Sequence, residues 1–317
     1  SAQIKADYAS YLHAVGREKA LNIGDFLALY WERSRDSRIK IPKAIDAWFA
    51  KQTTDDEAKV AKLISDFNTE QITQLEQELF KQKKRLADAQ RILQTKTTKK
   101  ALEEQRIATN KIEWAMGKLN DIRRKQIKDK DARIFPGWYA PVIVVENGKR
   151  VIKPMRYQCR PQGKPVFYDR KFPGTYNARR DNLEGFWKNQ FGHSHGLMIV
   201  NAFYENVSRH KAEGRELAPG EKEENVILEF RPTPPQDMLV ACLWSHWQHG
   251  DDQLDSFAAI TDEPPAEIAA AGHDRCIIPI KPEHIDAWLN PDPNNLDALY
   301  AILDDRARPY YQHRMAA

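Results

Sequence analysis

The sequence predicts an α+β fold: a β-rich body with flanking helices, interrupted by a long antiparallel helical hairpin. Three observations carry this. Apolar residues in the first 130 positions recur at helical spacing, residues 55–130 contain almost no Gly or Pro, and after Phe135-Pro136-Gly137 the pattern becomes short apolar runs divided by turn residues. The corresponding division is 1–54 for an N-terminal helical part of the body, 55–130 for the hairpin, and 131–317 for the main β-rich part.

The elements follow in order. From Ser1 to about Phe49, the spacing of Tyr8, Leu12 and Val15, then Phe26, Leu29 and Tyr30, then Ile45, Trp48 and Phe49 reads as short amphipathic helices, punctuated by Gly16 and Pro42. Two long helices follow, with Val60, Ile64, Phe67, Leu75, Leu79 and Leu86 on one arm and Ile112, Met116, Leu119 and Ile122 on the other. The polar segment Gln94-Thr95-Lys96-Thr97-Thr98-Lys99 is the reversal between them. The apolar pattern is only partly heptad, which favours a hairpin packed on or projecting from the body over a dimeric coiled coil. Beyond Gly137, Val142–Glu146 and Arg150–Ile152 flank Asn147-Gly148, the dipeptide that supplies the positive φ angles of a type I′ turn. Further strands are expected at 197–204, 225–230, 238–244, 256–261 and 276–280, with helices at 264–271 and 282–290.

The chain has 317 residues, 41% hydrophobic and 30% charged, which suits a folded, soluble protein with a buried core. No stretch approaches the roughly 18 apolar residues that span a bilayer, and the start has no basic segment followed by an apolar run, so a cytoplasmic protein without a membrane partner is expected. The cysteines Cys159, Cys242 and Cys276 are odd in number and lack C-x-x-C spacing. That argues against a disulfide framework and a zinc ribbon, and the Asn206-Val207-Ser208 sequon is expected to be idle. The net charge is +4, yet residues 81–130 hold sixteen Lys or Arg against six Asp or Glu, a net of +10. Such an excess can track a polyanion; the plainer reading is a long solvated helical surface.

Loops of the form G-x-x-x-x-G-K-[ST], G-x-G-x-x-G and G-x-S-x-G are absent, so the usual nucleotide and hydrolase signatures lend no support. His193-Ser194-His195 and His246-Trp247-Gln248-His249 have spacings that can share a metal, but no completing ligands are evident and they read as surface or core histidines; neither a metal nor a cofactor is implied. Cys242 lies in an apolar strand pattern, where a thiol is a small core residue rather than a nucleophile. More informative are Arg156–Pro161, Tyr176–Arg180, Asn201–Glu205 and Gly272–Arg275, which offer an amide, a carboxylate, an imidazole and several guanidiniums among aromatic residues. Aromatics with Arg suit single-stranded nucleic acid. Composition alone favours a blander reading, with Tyr204 and Trp244 in the core, Glu205 a strand-end charge and His273 a helix cap.

The order of these motifs resembles the SOS-response-associated peptidase (SRAP) family of abasic-site sensors. Arg156–Pro161, Asn177-Ala178-Arg179, Phe203-Tyr204-Glu205, Ala241–Trp244, Phe257–Thr261 and His273-Asp274-Arg275 are similar, in order, to six short family motifs across about 130 residues, and the similarity extends to Trp288-Leu289. The resemblance implies a protein that holds single-stranded DNA and forms a covalent thiazolidine crosslink at the aldehyde of an abasic site through an N-terminal cysteine, exposed by autoproteolytic loss of the initiator Met. It implies that Asn177 orients the N-terminus and the opened sugar, that Glu205 shuttles protons and that His273 assists at the sugar oxygen. Arg179 and Arg275, with Arg180 and Arg156, would contact phosphates. Two departures stand out. The sequence begins at Ser1 with no cysteine nearby, so the nucleophile is expected upstream of Ser1, and the 55–130 hairpin has no counterpart in compact family members. A protein from another class also fits: a noncovalent nucleic-acid-binding or coiled-coil interaction protein, with a vestigial pocket and a protein partner at the hairpin. A thiol hydrolase acting on other proteins is a third.

Overall fold

The computed structural model describes residues 3–7, 10–11 and 20–316. The chain runs β1 (Gln3–Ala6), α1 (Ile23–Arg35), α2 (Lys43–Asp46), α3 (Asp55–Thr95), α4 (Lys99–Arg123), β2 (Arg133–Ile134), β3 (Tyr139–Glu146), β4 (Lys149–Tyr157), α5 (Tyr168–Lys171), β5 (Asn177–Arg179), β6 (His195–Ser208), α6 (Arg209–Ala212), β7 (Asn225–Thr233), β8 (Met238–His249), β9 (Asp252–Asp262), α7 (Ala266–Ala270), β10 (Cys276–Ile277), β11 (Pro279–Ile280), α8 (Ile285–Leu289), α9 (Leu296–Asp304) and β12 (Tyr310–Met315). It is an α+β fold, as the sequence predicts.

The expected Asn-Gly turn joins β3 to β4, with φ of 51° at Asn147 and 72° at Gly148, so the hairpin register is fixed by local chemistry. The wider sheet is built by β6, whose first half pairs with β8 and whose second half pairs with β7. Around it the pairings β8 to β9, β9 to β4, β4 to β3, β3 to β6 and β6 to β8 return to their start, so five strands form a closed ring. Closure removes sheet edges, and the ring strands are packed on both faces, with Leu197, Ile152 and Leu243 on one and Val142 and Phe257 on the other, all buried. Gly196 is where β3 comes closest: a Cβ there would lie 2.6 Å from Val142 Cγ1 and 3.4 Å from the Ile143 carbonyl oxygen. Trp288 of α8 seals this end, its indole N–H donating to the Gly196 carbonyl at 3.0 Å.

One expectation for the N-terminal segment is corrected. Gln3–Ala6 is a strand rather than part of a helix, antiparallel to both β6 and β2. Four residues are too few for periodicity to separate helix from strand, and both partners lie far along the chain. Tyr8, Leu12 and Val15 lie outside the described residues. Beyond the expected elements, β2, β5 and β12 are short or terminal strands, and α9 covers Phe191 with Tyr300, ring centroids 5.0 Å apart.

The long helices begin at threonine caps, Thr54 accepting from the Glu57 amide at 3.2 Å and Thr98 from that of Ala101 at 3.1 Å. Their mutual seam is made of small residues. Ala101, Ala108 and Ala115 repeat every seven positions and are buried, facing Ala89 and the buried Gln82 on α3. Alanine lets helix backbones approach closely, whereas Met116, expected on the apolar stripe, is 48% exposed. At the base the hairpin joins the body: Val60 is part of the main core, and the Arg33 guanidinium sits 4.6 Å over Phe67 while pairing with Asp46. No residue from 65 to 131 belongs to that core, so the far half of the arm extends roughly 35 Å past Ile72 at 1.5 Å per residue.

Gly196→Ala tests the ring. The added methyl must displace a β-branched side chain in a packed interior, and the expected cost is about 1–3 kcal/mol, read as a lowered Tm. An unchanged Tm would mean that β3 and β6 have slack the packing does not show.

Candidate active site and nucleic-acid face

Glu205 is the point at which a charged residue enters the buried face of β6. Alternation along the strand puts Phe203, Glu205 and Val207 on one side, and Glu205 is only 6% exposed. A buried carboxylate needs a partner. It has one in His273, 68 positions away in sequence, whose Nε2 lies 3.0 Å from Glu205 Oε2. The loop after α7 delivers that imidazole through Gly272, where φ is 94° and a Cβ would lie 2.8 Å from Lys211 Cβ. His273 Nδ1 is 2.9 Å from the Arg275 carbonyl oxygen. Burial alone would lower the His273 pKa, but the hydrogen bond and charge of Glu205, with the carbonyl of Arg275, outweigh it and hold the imidazole above its ordinary value.

Two further groups feel the Glu205 charge. The buried Tyr157 hydroxyl is pushed well above its ordinary pKa, first by burial and then by the carboxylate. Cys276 is pushed up to about 12, chiefly by burial, with Glu205 adding to it against a hydrogen bond from Tyr311. The arrangement is therefore a carboxylate–imidazole pair among groups that burial keeps neutral. It can hold a proton on the imidazole and accept one on the carboxylate, as proton transfer at a carbonyl carbon requires.

Asn177, on β5, pairs with Ala259 of β9 and accepts a hydrogen bond at Oδ1 from the Thr261 hydroxyl. Thr261 in turn lies opposite Ile277, next to Cys276. Cys276, beside Ile277, is the residue on this path that feels the Glu205 charge. The N-terminal strand completes the setting: Gln3 lies opposite Tyr204, one residue from Glu205, and its side chain accepts from Arg133 Nε at 2.7 Å.

The arginines divide. Arg156 is engaged by the fold, with Nη1 donating to Asp169 at 2.8 Å and Nε and Nη2 donating to the Gln158 carbonyl, and Arg160 shares the same aspartate. Arg180 pairs with Asp304 at 2.6 Å and lies near Asp262. Arg179 is exposed and, among the described residues, pairs with its neighbour Asp181 at 3.1 Å. Arg275 is the least committed, its nearest carboxylate being Asp274 at 3.6 Å and its buried Nε having no hydrogen-bond partner.

The sequence reading did not find the opposite, outward face of the same strands. There Lys5, Arg133, Arg231 and Arg314 surround Glu229 and Asp129, with the Arg133 guanidinium 3.9 Å over the Tyr204 ring and the Tyr204 hydroxyl donating to Glu229 at 2.8 Å. These residues come from positions far apart, so only register assembles them. The histidines raised as metal ligands are used otherwise. Buried His195 has Nε2 accepting from the Gly192 amide at 2.8 Å and Nδ1 on the Trp288 carbonyl at 2.9 Å; burial drives its pKa to about 3. His246 pairs with Asp255 at 2.7 Å. All three cysteines are free and buried, and burial pushes the Cys242 thiol far above its ordinary value, which removes it as a nucleophile.

The family model for SOS response associated peptidase (SRAP) matches residues 90–316. The chain belongs to the SRAP family, and at that level carries a peptidase-like, DNA-processing role. No curated protein matches the sequence. Similar solved structures include a protein from Bordetella bronchiseptica at 15% identity, covering 61% of this chain and 90% of that one with a TM-score of 0.46. A phage-related protein from the same organism aligns at 18% identity, over 58% and 81% of the two chains, with a TM-score of 0.43. A protein from Bacteroides thetaiotaomicron aligns at 13% identity, over 51% and 67%, with a TM-score of 0.41. Likenesses this distant add nothing to the family assignment. Among the described residues no helix is long and apolar enough to cross a membrane.

The Glu205–His273 pair makes stability depend on pH with a definite sign. The His273 pKa is raised above its unfolded value near 6.5, so the pair's contribution is fully present below about pH 6.5 and is lost as pH rises through the folded value. Glu205→Gln removes the charged partner. The Tm difference between parent and variant should therefore be larger at pH 6 than at pH 9; a difference that grows with pH would contradict the pairing.

Proposed function

We propose that this protein binds single-stranded DNA at abasic sites and bonds to them covalently through an N-terminal cysteine encoded ahead of Ser1, after autoproteolytic removal of the initiator Met. The observation that supports it most is the buried Glu205–His273 pair at 3.0 Å on the strand beside which the N-terminal segment runs. An α-amine with a pKa near 8 is roughly 10% neutral at pH 7, while a lysine near 10.4 is neutral to only about 0.04%, so an N-terminal amine is the better nucleophile.

In this reading the α-amine attacks C1 of the ring-opened sugar, whose oxygen takes a proton held on His273. The carbinolamine then loses water, with Glu205 accepting the amine proton and a proton going to the leaving hydroxyl, which leaves an imine. The cysteine sulfur adds to the imine carbon, the nitrogen regains a proton, and a five-membered thiazolidine closes. Asn177 orients the amine and sugar from its place beside Thr261. Arg275, with no carboxylate nearer than 3.6 Å, and exposed Arg179 take phosphates in this reading, by charge-assisted bonds. Arg156 and Arg180 act at one remove in this reading, because carboxylates or a backbone carbonyl already occupy their guanidiniums.

The test uses a chain carrying its encoded N-terminal cysteine at pH 8, where the pair contributes less to stability than it does at pH 6. Glu205→Gln keeps shape and an acceptor oxygen, so single-strand affinity and Tm should stay near the parent while adduct formation on an abasic strand slows roughly 100-fold or more. Equal rates for the two would remove Glu205 from the chemistry.

A further inference from the structure

The hairpin is electrically polarised along its length. Residues 55–80 hold two Lys and seven Asp or Glu, whereas residues 81–106 hold nine Lys or Arg and three Asp or Glu. In the first part the acids are largely matched: Asp56 and Asp66 by Lys59 and Lys62, Glu76 and Glu78 by Arg123 and Lys111. At the free end, arginines take all three acids, in the pairs Arg85–Glu104, Arg91–Asp88 and Arg106–Glu103. That leaves Lys81, Lys83, Lys84, Lys96 and Lys99 exposed and, among the described residues, without an ion-pair partner. Between the arms at this end runs an open groove of about 690 Å³, whose lining includes Lys81, Lys84, Arg85, Lys100 and Lys111.

We propose that this free end is a second nucleic-acid contact, which grips the phosphate backbone of duplex DNA flanking the single-stranded site. The proposal rests on the reading above for what the body holds, and its own support is the charge. A second copy of the hairpin is a poorer occupant, because most of the acids that would have to meet these lysines, Asp56, Asp66, Glu76 and Glu78 among them, are already paired within the arm. Duplex suits the site better than single strand. A duplex presents one phosphate charge per roughly 1.7 Å of axis and stays straight over this distance, so a rigid arm about 35 Å long can meet many phosphates at once. Single-strand sites rely on runs of aromatic platforms for stacking; residues 81–106 hold no aromatic residue, exposed Phe80 stands alone at their edge, and the unpaired charges here are lysines, which read phosphate as point charges. The contact carries no sequence information and supplies affinity and orientation.

The experiment compares the full chain with a variant carrying Lys81→Gln, Lys83→Gln, Lys84→Gln and Lys99→Gln. Gln is nearly as good a helix former as Lys and these positions are exposed, so the arm should persist; circular dichroism and Tm check that it does. Affinity is measured across a salt series for a single strand and for the same strand with a duplex flank, neither containing an abasic site. The parent should bind the flanked strand roughly tenfold or more tightly at 50 mM salt, with a steeper salt dependence. The variant should lose that gain, its slope becoming shallower by about 0.9 per phosphate contact removed, while single-strand affinity is unchanged. A parent without a duplex gain, or a variant that keeps it with the same slope, overturns the proposal. Adduct formation on an abasic strand is measured in parallel: if it is absent while the duplex gain still depends on the lysines, the site reading fails and the hairpin contact stands.

Discussion

The 14-residue strand β6 is the constraint on which the rest of the molecule depends. It pairs with four other strands, β1, β3, β7 and β8, and so closes the ring, receives the N-terminal segment and carries Glu205. A single strand has two edges and cannot serve so many neighbours without changing partners along its length. β6 does so by giving its first half to β8 and its second half to β7. The residues at the start of β6 are fixed by contact: Gly196 admits β3, and His195 is held on both ring nitrogens between Gly192 and Trp288. A shift of one residue would turn Glu205 to the face of Arg133 and Glu229 and put Tyr204 on the face of His273.

That register also divides the chemistry between two faces. On the inner face Glu205 and His273 form an ion pair in a setting where burial keeps Tyr157 and Cys276 neutral. On the outer face Tyr204 lies beneath Arg133 among four basic residues, and Gln3 connects to the same arginine. The N-terminal segment therefore lies where the buried Glu205–His273 pair and the cluster around Arg133 meet. A buried pair of this kind is weak evidence for stability, since two charges must lose water to form it. Its placement beside the N-terminal strand is what gives it functional meaning.

Much of this was legible in the sequence, and the illegible parts share a cause. The Asn147-Gly148 turn and the polar reversal near Thr97 are set by a few adjacent residues, so local rules read them. The runs that became β6 to β9 stood out by their apolar content, although their pairing did not. Gln3–Ala6 was misread because four residues carry no usable period, and its partners lie some 130 and 200 positions away. The hairpin seam was misread in its residues: attention to large apolar side chains passed over the alanine repeat, and Met116 proved half-exposed. Glu205 and His273 were singled out by family resemblance alone, since composition favoured a surface charge and a helix cap. Nothing local could show that Asp169 would occupy Arg156 while Arg275 kept a free nitrogen.

The central claim is that β6 holds a proton-transfer pair beside a nucleophilic N-terminus. It is tested most directly by the intact mass of the full encoded chain, with its native start, after incubation with a single-stranded oligonucleotide carrying one abasic site. The expected result is a species heavier by one oligonucleotide strand minus water, absent with an undamaged strand and absent when the first cysteine is replaced by Ala. A chain that binds the same oligonucleotide and keeps its own mass would contradict covalent chemistry at this site and leave a noncovalent nucleic-acid-binding protein.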